Sequence, residues 1–442
     1  MTIKNISGFP ELLPEQFALE LRWRSTVQRV FEHFGFVPIE TAAVERLDVL
    51  LGKGGDADKE LYALTRAAGG GGEPSARLGL HYDLTVPLAR YVATHANDLS
   101  FPFKRQQMQK AWRGERPQEG RYREFLQCDI DVIDRDTLAP DFESEVAAAM
   151  LVALAAIGVT RFNFAINDRR LLDQTYRSLG IEDPIPVIRV LDKIDKLSKT
   201  AIAEELVDRL GLSDAQAKSC IDVAAIRASD MSFVEALVGA GVAFADIEPA
   251  VTTLGDAMER LARHKHANTN LFVDLSVARG FDYYTGLVFE GRFQDYPTYP
   301  AICSGGRYDN LVGSMLSGKM PGVGGSIGLT RILMKVLKEE AQANPVAPNS
   351  ADVLIARFED AALPDLDAAA ATLRARGLRV EIYHLPAKLK KQMQYAERKG
   401  IRFLLFPAGA TEGGGCEVKD LTTGTQVAID IEHWNPVTPR QP

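Results

Sequence analysis

The chain has 442 residues, of which 46% are hydrophobic and 25% are charged, and its formal net charge is −8. This length predicts two or three domains, and the composition is typical of a soluble globular protein. No apolar run approaches the ~20 residues of a membrane-spanning helix, and the N-terminus does not have the pattern of a signal peptide. The acidic balance disfavours a general nucleic-acid binder but does not exclude one, because binding depends on local basic patches.

The cysteines are widely spaced. There are four of them, Cys128, Cys220, Cys303 and Cys416, and none forms a CxxC pair. This spacing argues against a zinc site and against a disulfide framework. It favours a reducing compartment, so we expect a cytoplasmic protein.

The N-terminal third predicts a helix, a hairpin and a second helix. Apolar spacing predicts an amphipathic helix over residues 15–35 that ends at Gly35, followed by an extended segment. A hairpin follows, with the glycine run 69–72 at its tip. That run lacks the GK[ST] of a P-loop, so we expect a loop there rather than a phosphate site. A helix begins at about Pro87.

Polar side chains alternate along the next predicted hairpin. On the strand 121–131 the odd positions are Arg121, Arg123, Phe125, Gln127, Asp129 and Asp131. Arg113 and Glu115 are assigned to the partner strand. If this face lines a pocket, arginine suits phosphate oxygens, the ring can stack on a purine, and a carboxylate can accept a ligand N–H. A solvated sheet face with ion pairs explains the same alternation equally well.

The remaining chain predicts an interrupted core and a separate α/β module. A helix over 141–157 is expected to have Asp141 as its N-cap. Residues 168–270 are predicted to be helical, strands return after Asn270, and a glycine-rich stretch leads into a helix. Beyond a linker, strands and helices alternate and end in a hairpin, which is typical of an α/β domain.

Several segments, in order along the chain, resemble one family. "WRGERPQEGRYREFLQCDID" (112–131) resembles motif 2 of class II aminoacyl-tRNA synthetases in its histidyl form. "ARGFDYYTGLVFE" (278–290) and "GGRYDNLV" (305–312) resemble segments specific to histidyl-tRNA synthetases. "LHYDLTVPLARY" (80–91) is similar to the substrate loop of the eukaryote-like variant. "GGSIGLTRIL" (324–333) resembles motif 3, and "GCEVKDLTTGTQ" (415–426) resembles the anticodon-binding domain.

The resemblance implies an α+β fold. We expect a class II antiparallel sheet with flanking helices, a helical insertion and a C-terminal α/β anticodon-binding domain. The expected divisions are a catalytic core in two parts, 1–167 and 271–340, an insertion over 168–270, a linker over 341–351 and the anticodon-binding domain over 352–442. A homodimer is implied, and no membrane association.

The resemblance also implies the reaction. The enzyme would activate L-histidine with ATP, with Mg²⁺ arriving on the ATP and no metal site of protein ligands alone, and would transfer histidine to tRNA(His). The reacting carboxylate is already a nucleophile, so catalysis is alignment plus neutralisation of phosphate charge. The basic residues of 385–400 are tRNA contacts or merely a solvated helix face, and both interpretations stay open.

The family's functional residues map onto positions of this chain. The positions that correspond to ATP contacts are Arg113, Glu115, Arg121, Arg123, Phe125 and Arg331. Those that correspond to histidine contacts are Asp83, Thr85, Gln127, Asp131, Arg279, Tyr284 and Tyr308. Arg113 and Arg279 are the expected catalytic residues, acting on the α-phosphate and the reacting carboxylate. His81, in the substrate loop, is interpreted as exposed rather than catalytic.

The chain departs from the family's motifs at two positions, and two other protein classes are alternatives to a histidyl-tRNA synthetase. Ala42 stands where motif 1 normally has proline, and Thr330 stands where motif 3 commonly has glutamate. One alternative is a non-catalytic, synthetase-like regulatory subunit of ATP phosphoribosyltransferase. The retained Arg113, Arg279 and Arg331 and the extra C-terminal domain disfavour it. The other is a class II synthetase for proline or threonine, which the histidyl segments disfavour.

Overall fold

The computed structural model describes residues 4–51, 60–65, 77–194, 197–277, 284–309, 318–343, 351–411 and 414–436. They divide into two compact units, one of Met1–Glu11 with Trp23–Val336 and one of Leu12–Arg22 with Leu337–Pro442. The predicted hairpin tip 69–72 and most of the predicted linker lie outside the described residues. Within those ranges, no helix has the length and apolar content needed to cross a bilayer.

The larger unit is built around a sheet. In chain order its strands are β1 (Val37–Pro38), β2 (Val44–Arg46), β3 (Tyr62–Leu64), β4 (Leu78–Leu80), β5 (Phe103–Trp112), β6 (Glu124–Ile133), β7 (Phe162–Asp168), β8 (Arg227–Ala228), β9 (Asn270–Asp274), β10 (Tyr284–Phe293), β11 (Cys303–Tyr308) and β12 (Gly322–Gly328). Nine of them form one sheet in the order β1-β5-β6-β12-β11-β10-β7-β9-β8, and β2-β4-β3 form a small second sheet. Apart from the parallel pairs β1–β5 and β7–β9, the neighbours in both sheets are antiparallel. The predicted antiparallel core is confirmed.

Helices flank this sheet. In chain order they are α1 (Pro14–His33), α2 (Leu47–Leu50), α3 (Thr85–His95), α4 (Asp141–Ala156), α5 (Arg169–Ser178), α6 (Pro184–Leu191), α7 (Lys199–Glu204), α8 (Asp214–Ala224), α9 (Ser232–Gly239), α10 (Phe244–Ala262) and α11 (Leu329–Ala343), with a π-helical turn at Glu205–Arg209. The apolar side chains of α4 and of α5–α10 belong to one continuous core with those of the sheet. The helical stretch is therefore packed onto the sheet's core rather than around a core of its own.

The register of β5, β6 and β12 fixes which side chains meet. Asp131 is paired with Arg105 of β5 and Gly324 of β12, and Asp129 is paired with Gln107 and Ser326. Directly paired residues of neighbouring strands point to the same face. The polar face predicted for β6 is therefore flanked by a polar face on β5 and by small residues on β12.

Glycines of β12 make room for this face. A Cβ atom added at Gly324 would lie 1.9 Å from Oδ1 of Asp131, and one added at Gly322 would lie 2.4 Å from Cε2 of Tyr308. Real Cβ atoms do not approach other atoms so closely. The absence of side chains at these two positions lets Asp131 and Tyr308 lie across the strand.

Two predicted element boundaries were wrong. β5 ends at Trp112 and β6 begins at Glu124, so Arg113, Glu115, Arg121 and Arg123 lie in the connecting loop, where strand alternation does not apply. Gly120 in this loop has φ +76°, a conformation that favours glycine.

Two helix starts also differ from the predictions. α3 begins at Thr85 rather than Pro87, because Oδ1 of Asp83 accepts the backbone N–H groups of Thr85 at 3.1 Å and Val86 at 2.9 Å. Asp141 lies inside the first turn of α4 rather than at its N-cap. Its carboxylate accepts from Nη1 of Arg260 at 2.7 Å.

The second unit contains the predicted α/β module. Its strands are β13 (Val353–Ile355), β14 (Val380–Ile382), β15 (Phe403–Phe406), β16 (Cys416–Asp420) and β17 (Gln426–Ile429), and its helices are α12 (Leu363–Ala375) and α13 (Leu389–Arg398). β13 is parallel to β14 and β15, whereas β15–β16 and β16–β17 are antiparallel. The parallel strands and the final hairpin are confirmed.

Candidate active site

A cleft opens beside β6 in the larger unit. It contains about 590 Å³ of empty space, including space open to solvent. The residues that line it are Arg113, Glu115, Gly120, Tyr122, Phe125, Gln127, Ala301, Ile302, Cys303, Ser304, Ser326, Gly328 and Arg331. Four predicted ATP contacts, Arg113, Glu115, Phe125 and Arg331, thus meet in one cleft with Gln127, a predicted histidine contact.

Two guanidinium groups face this cleft. Cζ of Arg113 lies 5.0 Å from the centroid of the Phe125 ring, and its Nε donates to the carbonyl of Tyr82 at 3.0 Å. Nε of Arg331 donates to the carbonyl of Gly120 at 2.7 Å. Burial lowers the pKa of Arg331, and the like charge of Arg113 lowers it further. Two cations that repel each other in a partly dry cleft favour a polyanionic ligand such as a phosphate chain.

The other two predicted arginines are directed elsewhere. Nη1 of Arg121 lies 3.5 Å from Oε2 of Glu115. Nε of Arg123 donates to the carbonyl of Glu115 at 3.1 Å, and its Nη1 lies 3.5 Å from the carbonyl of Ser7. The described lining of the cleft includes neither arginine. Strand alternation does not apply in this loop, and the contacts of Arg121 and Arg123 with Glu115 determine where their side chains lie.

A buried ion pair lies on the same face of the sheet. Asp131 is only 3% exposed, and Oη of Tyr308 donates to its Oδ1 at 2.7 Å. Its Oδ2 lies 2.5 Å from Nη2 of Arg105, a side chain that is 0% exposed. The structure therefore brings together the predicted residues Asp131 and Tyr308. It adds Arg105, which the sequence reasoning missed although it lies on the partner strand.

Carboxylates concentrate around this ion pair. The charges of Asp83 and Asp131 both raise the pKa of Asp129, which shows that the three side chains interact. Tyr284 opens β10 and is paired in register with Tyr308. Asp83 and Thr85 form the N-terminus of α3. This carboxylate cluster, defined by Asp83, Asp129, Asp131 and Tyr308, contains the predicted imidazole contact Asp131.

Gln127 and Asp129 lie side by side on β6. Nε2 of Gln127 donates to Oγ of Ser326 at 2.8 Å. Among the described residues, neither Oε1 of Gln127 nor Oδ1 of Asp129 has a hydrogen-bond partner. Burial raises the pKa of Asp129 to about 7, although Arg105 and a hydrogen bond from Ser326 act to lower it. Asp129 was on the predicted polar face but was not assigned a role.

His81 is buried, so its interpretation as an exposed loop residue was wrong. Its side chain is 0% exposed, and its ring nitrogens lie 3.1 Å from the carbonyl of Ala42 and 2.6 Å from that of Lys110. The centroid of the His81 ring lies 5.4 Å from that of the Trp112 ring. His81 thus connects the segment before Asp83 to β5 and to the segment that contains Ala42.

Arg279, the second predicted catalytic residue, lies outside the described residues. Among the side chains that the structure describes, no group of three His, Cys, Asp or Glu residues is arranged to hold a metal ion. The described site is therefore an arginine-lined cleft whose Gln127 lies on the same face of β6 as Asp129 and Asp131 of the carboxylate cluster.

Family comparisons match nearly the whole chain. A family model described as "Histidyl-tRNA synthetase" matches residues 8–332, and one described as "Anticodon binding domain" matches residues 346–435. The chain is 46% identical over 432 residues to a histidine--tRNA ligase of Thermobifida fusca, with 97% of each chain covered. It is 42% identical over 445 residues to that of Micrococcus luteus, with 98% of this chain and 96% of the relative covered.

Solved structures of similar proteins share the fold. The chain superposes on histidyl-tRNA synthetase from Nostoc sp. PCC 7120 with a TM-score of 0.82 and 33% identity, covering 97% of both chains. A Bacillus halodurans protein described as "ATP phosphoribosyltransferase regulatory subunit/histidyl-tRNA synthetase" gives a TM-score of 0.72 at 22% identity, covering 89% of this chain and 97% of that one. The second likeness shows the fold alone.

Proposed function

The chain belongs to the histidyl-tRNA synthetase family, and on that premise we propose that it activates L-histidine with ATP and transfers the histidyl group to tRNA(His). The observation that carries this proposal is the arginine-lined cleft together with the carboxylate cluster, whose Asp129 and Asp131 share a face of β6 with Gln127 of the cleft. The cleft suits a nucleoside triphosphate, and the carboxylate cluster suits a small cationic ligand. Gln127 belongs to the cleft and shares a strand face with the cluster, so the two substrates react beside it.

The activation step uses alignment and charge neutralisation. A carboxylate oxygen of histidine attacks the α-phosphorus of ATP, the bond to the β-phosphate oxygen breaks, and pyrophosphate leaves. No proton is abstracted, because the attacking carboxylate is already ionised. Guanidinium groups that neutralise the phosphate charge therefore supply the catalysis.

The ATP roles follow from the cleft. Arg113 binds the α-phosphate, Phe125 stacks on adenine, and Arg331 neutralises charge at the γ-phosphate end, with Mg²⁺ arriving on the nucleotide. Glu115, Arg121 and Arg123 complete the ATP site. Because Arg121 pairs with Glu115 at 3.5 Å, it exchanges that weak contact for one with phosphate when ATP binds.

The roles of the residues that bind histidine follow from the carboxylate cluster. Asp131 and Tyr284 bind the two imidazole nitrogens, with Tyr308 positioning Asp131 through its 2.7 Å hydrogen bond. A competitor without these nitrogens leaves buried polar groups unpaired, which can reject it by about 10⁴-fold. Asp83, Thr85 and Gln127 hold the α-amino group. Arg279 binds the reacting carboxylate and the α-phosphate, so Arg279→Ala slows adenylation more than transfer to tRNA.

The wider organisation is proposed on the same basis. The catalytic core spans 1–167 and 271–340, the insertion spans 168–270, and a linker leads to the anticodon-binding domain at 352–442. We expect a cytoplasmic homodimer. The exposed Lys388, Lys390 and Lys391 at the start of α13 contact tRNA phosphates.

The experiment that tests this function is amino-acid-dependent exchange of pyrophosphate into ATP. We expect exchange with L-histidine and not with proline or threonine. A regulatory subunit would bind histidine without exchange, so binding without exchange would overturn the proposal in favour of that alternative. Exchange supported by a different amino acid would overturn the substrate assignment.

A further inference from the structure

Asp129 lies in the middle of the active-site sheet without an assigned role. It is 3% exposed and lies on β6 between Gln127 and Asp131, on the face that these two residues share. Its register partners are Gln107 of β5 and Ser326 of β12. Neighbouring strands thus enclose Asp129 on both sides, and its side chain lies on the face of β6 from which Gln127 reaches the cleft.

Two acceptor atoms in this region are buried without partners. Within the described parts of the chain, Oδ1 of Asp129 and Oε1 of Gln127 accept no hydrogen bond. A buried acceptor without a donor is costly, and the cost is greater for a charged group. Gln127 and Ser326, the register partner of Asp129, both line the cleft, so a donor that arrives with the ligand can satisfy these acceptors.

The surrounding charge favours a cationic donor. Of the charged groups that act on Asp129, Arg105 is positive, whereas Asp131 on the same strand and Asp83 before α3 are negative. Arg105 already forms the ion pair with Asp131, at 2.5 Å. The described charges around Asp129 therefore leave an excess of negative charge for a ligand cation to balance.

We propose, building on the proposed function, that Asp129 is a further amino-acid-binding residue whose Oδ1 accepts an N–H from the α-ammonium group of histidine, next to Oε1 of Gln127. An ammonium group carries three donors and no acceptor. It matches two adjacent acceptors that have no donors of their own. The negative charge of Asp83, which also acts on Asp129, adds to the attraction for the positive charge.

This role makes recognition of the ammonium group depend on pH. The contact is strongest when Asp129 is ionised, and burial raises its pKa in the free protein to about 7. Below that pH the carboxyl is largely neutral and the cation gains less from binding. Affinity gained through the ammonium group therefore increases as the pH rises from about 6 to about 8.

The test compares L-histidine with imidazole propionate, its deaminated analogue, by titration calorimetry on the full-length protein. Both ligands carry the imidazole ring and the carboxylate, so the ratio of their affinities, each corrected for the fraction of free ligand with a neutral imidazole, isolates the ammonium group. In the wild-type protein we expect this ratio to increase between about pH 6 and pH 8. A ratio that does not change with pH would overturn the proposal without any variant.

The matched variant is Asp129→Asn. We expect it to lose about 10- to 100-fold in histidine affinity, the range for a hydrogen bond to a charged group, while analogue affinity changes little. Asp134→Asn, the same substitution just beyond the end of β6, should leave both affinities unchanged. Equal losses for both ligands in Asp129→Asn would show a purely structural role and overturn the proposal.

The experiments distinguish a failure of the role proposed for Asp129 from a failure of the proposed function. A wild-type protein that neither binds histidine nor supports histidine-dependent exchange would contradict the function itself. A wild-type protein that supports exchange while Asp129→Asn keeps the full preference for histidine over the analogue would contradict only the role of Asp129.

Discussion

At the scale of single residues, the carboxylate cluster depends on the ion pair between Arg105 and Asp131, and motif 2 contains only one of these two residues. The resemblance predicted Phe125, Gln127 and Asp131, because each lies inside a recognisable motif. It did not include Arg105, which lies outside motif 2, and it gave no role to Asp129, which lies within it, because alternation predicts which face a side chain shares but not which atoms find partners. Burial and the register of β5 against β6 supply that information.

Asp131→Asn tests the proposed recognition of imidazole. The amide keeps the shape of the side chain but loses the charge that Arg105 and Tyr308 hold in place. We expect histidine affinity to fall by about 10- to 100-fold. ATP affinity should change little, because Asp131 does not belong to the described lining of the ATP cleft. Calorimetry measures both, and equal losses for the two ligands would contradict the assignment.

Arg105→Met tests the cost of breaking the buried ion pair. The substitution keeps a long apolar side chain but leaves Asp131 without its cation in a site where both partners are at most 4% exposed. Loss of one partner of a buried pair costs about 3–5 kcal/mol in the free energy of unfolding, measurable by urea denaturation. Arg161→Met, at an ion pair with more than half of each side chain exposed, is the control and should change stability little. A similar small effect for both variants would contradict the inferred importance of Arg105.

At the scale of secondary-structure elements, strands were predictable and their ends were not. The alternation along residues 121–131 indicated β6, but nothing in the pattern showed that pairing stops at Glu124. The loop 113–123 instead follows turn geometry around Gly120 and is held by the bond from Arg331 to the Gly120 carbonyl. Thr330, the departure in motif 3, also has a structural role, because its Oγ1 accepts the backbone N–H of Leu126 at 2.8 Å.

Gly324→Ala tests whether β12 must lack side chains beside Asp131. The added Cβ would lie 1.9 Å from Oδ1 of Asp131, so the carboxylate must move. We expect histidine affinity to fall by about tenfold or more, the loss of one charged hydrogen bond, with ATP affinity largely kept. Gly239→Ala, where an added Cβ meets no described atom within 4 Å, is the control and should bind both ligands normally. Unchanged histidine affinity in Gly324→Ala would show that the pocket tolerates the displacement.

At the scale of the whole molecule, the order of motifs predicted the architecture better than local patterns did. The described parts of motif 2, the histidyl segments and motif 3 contribute the strands β6, β10, β11 and β12 to one sheet, although residues 134–283 separate β6 from β10 along the chain. Local periodicity predicted the helices of that interval. It did not reveal that they share a single hydrophobic core with the sheet, because such long-range packing leaves no periodic signal.

The most direct test of the account is transfer of labelled L-histidine to a tRNA(His) transcript by the full-length protein. We predict charging that requires ATP and is abolished or reduced by about 10²- to 10³-fold in Arg113→Ala, since loss of one preorganised electrostatic group typically costs that much. Arg161→Met, at a residue outside the described lining of the cleft, serves as the active control. Absence of histidyl-tRNA with wild-type protein, or charging that persists unchanged in Arg113→Ala, would contradict the account.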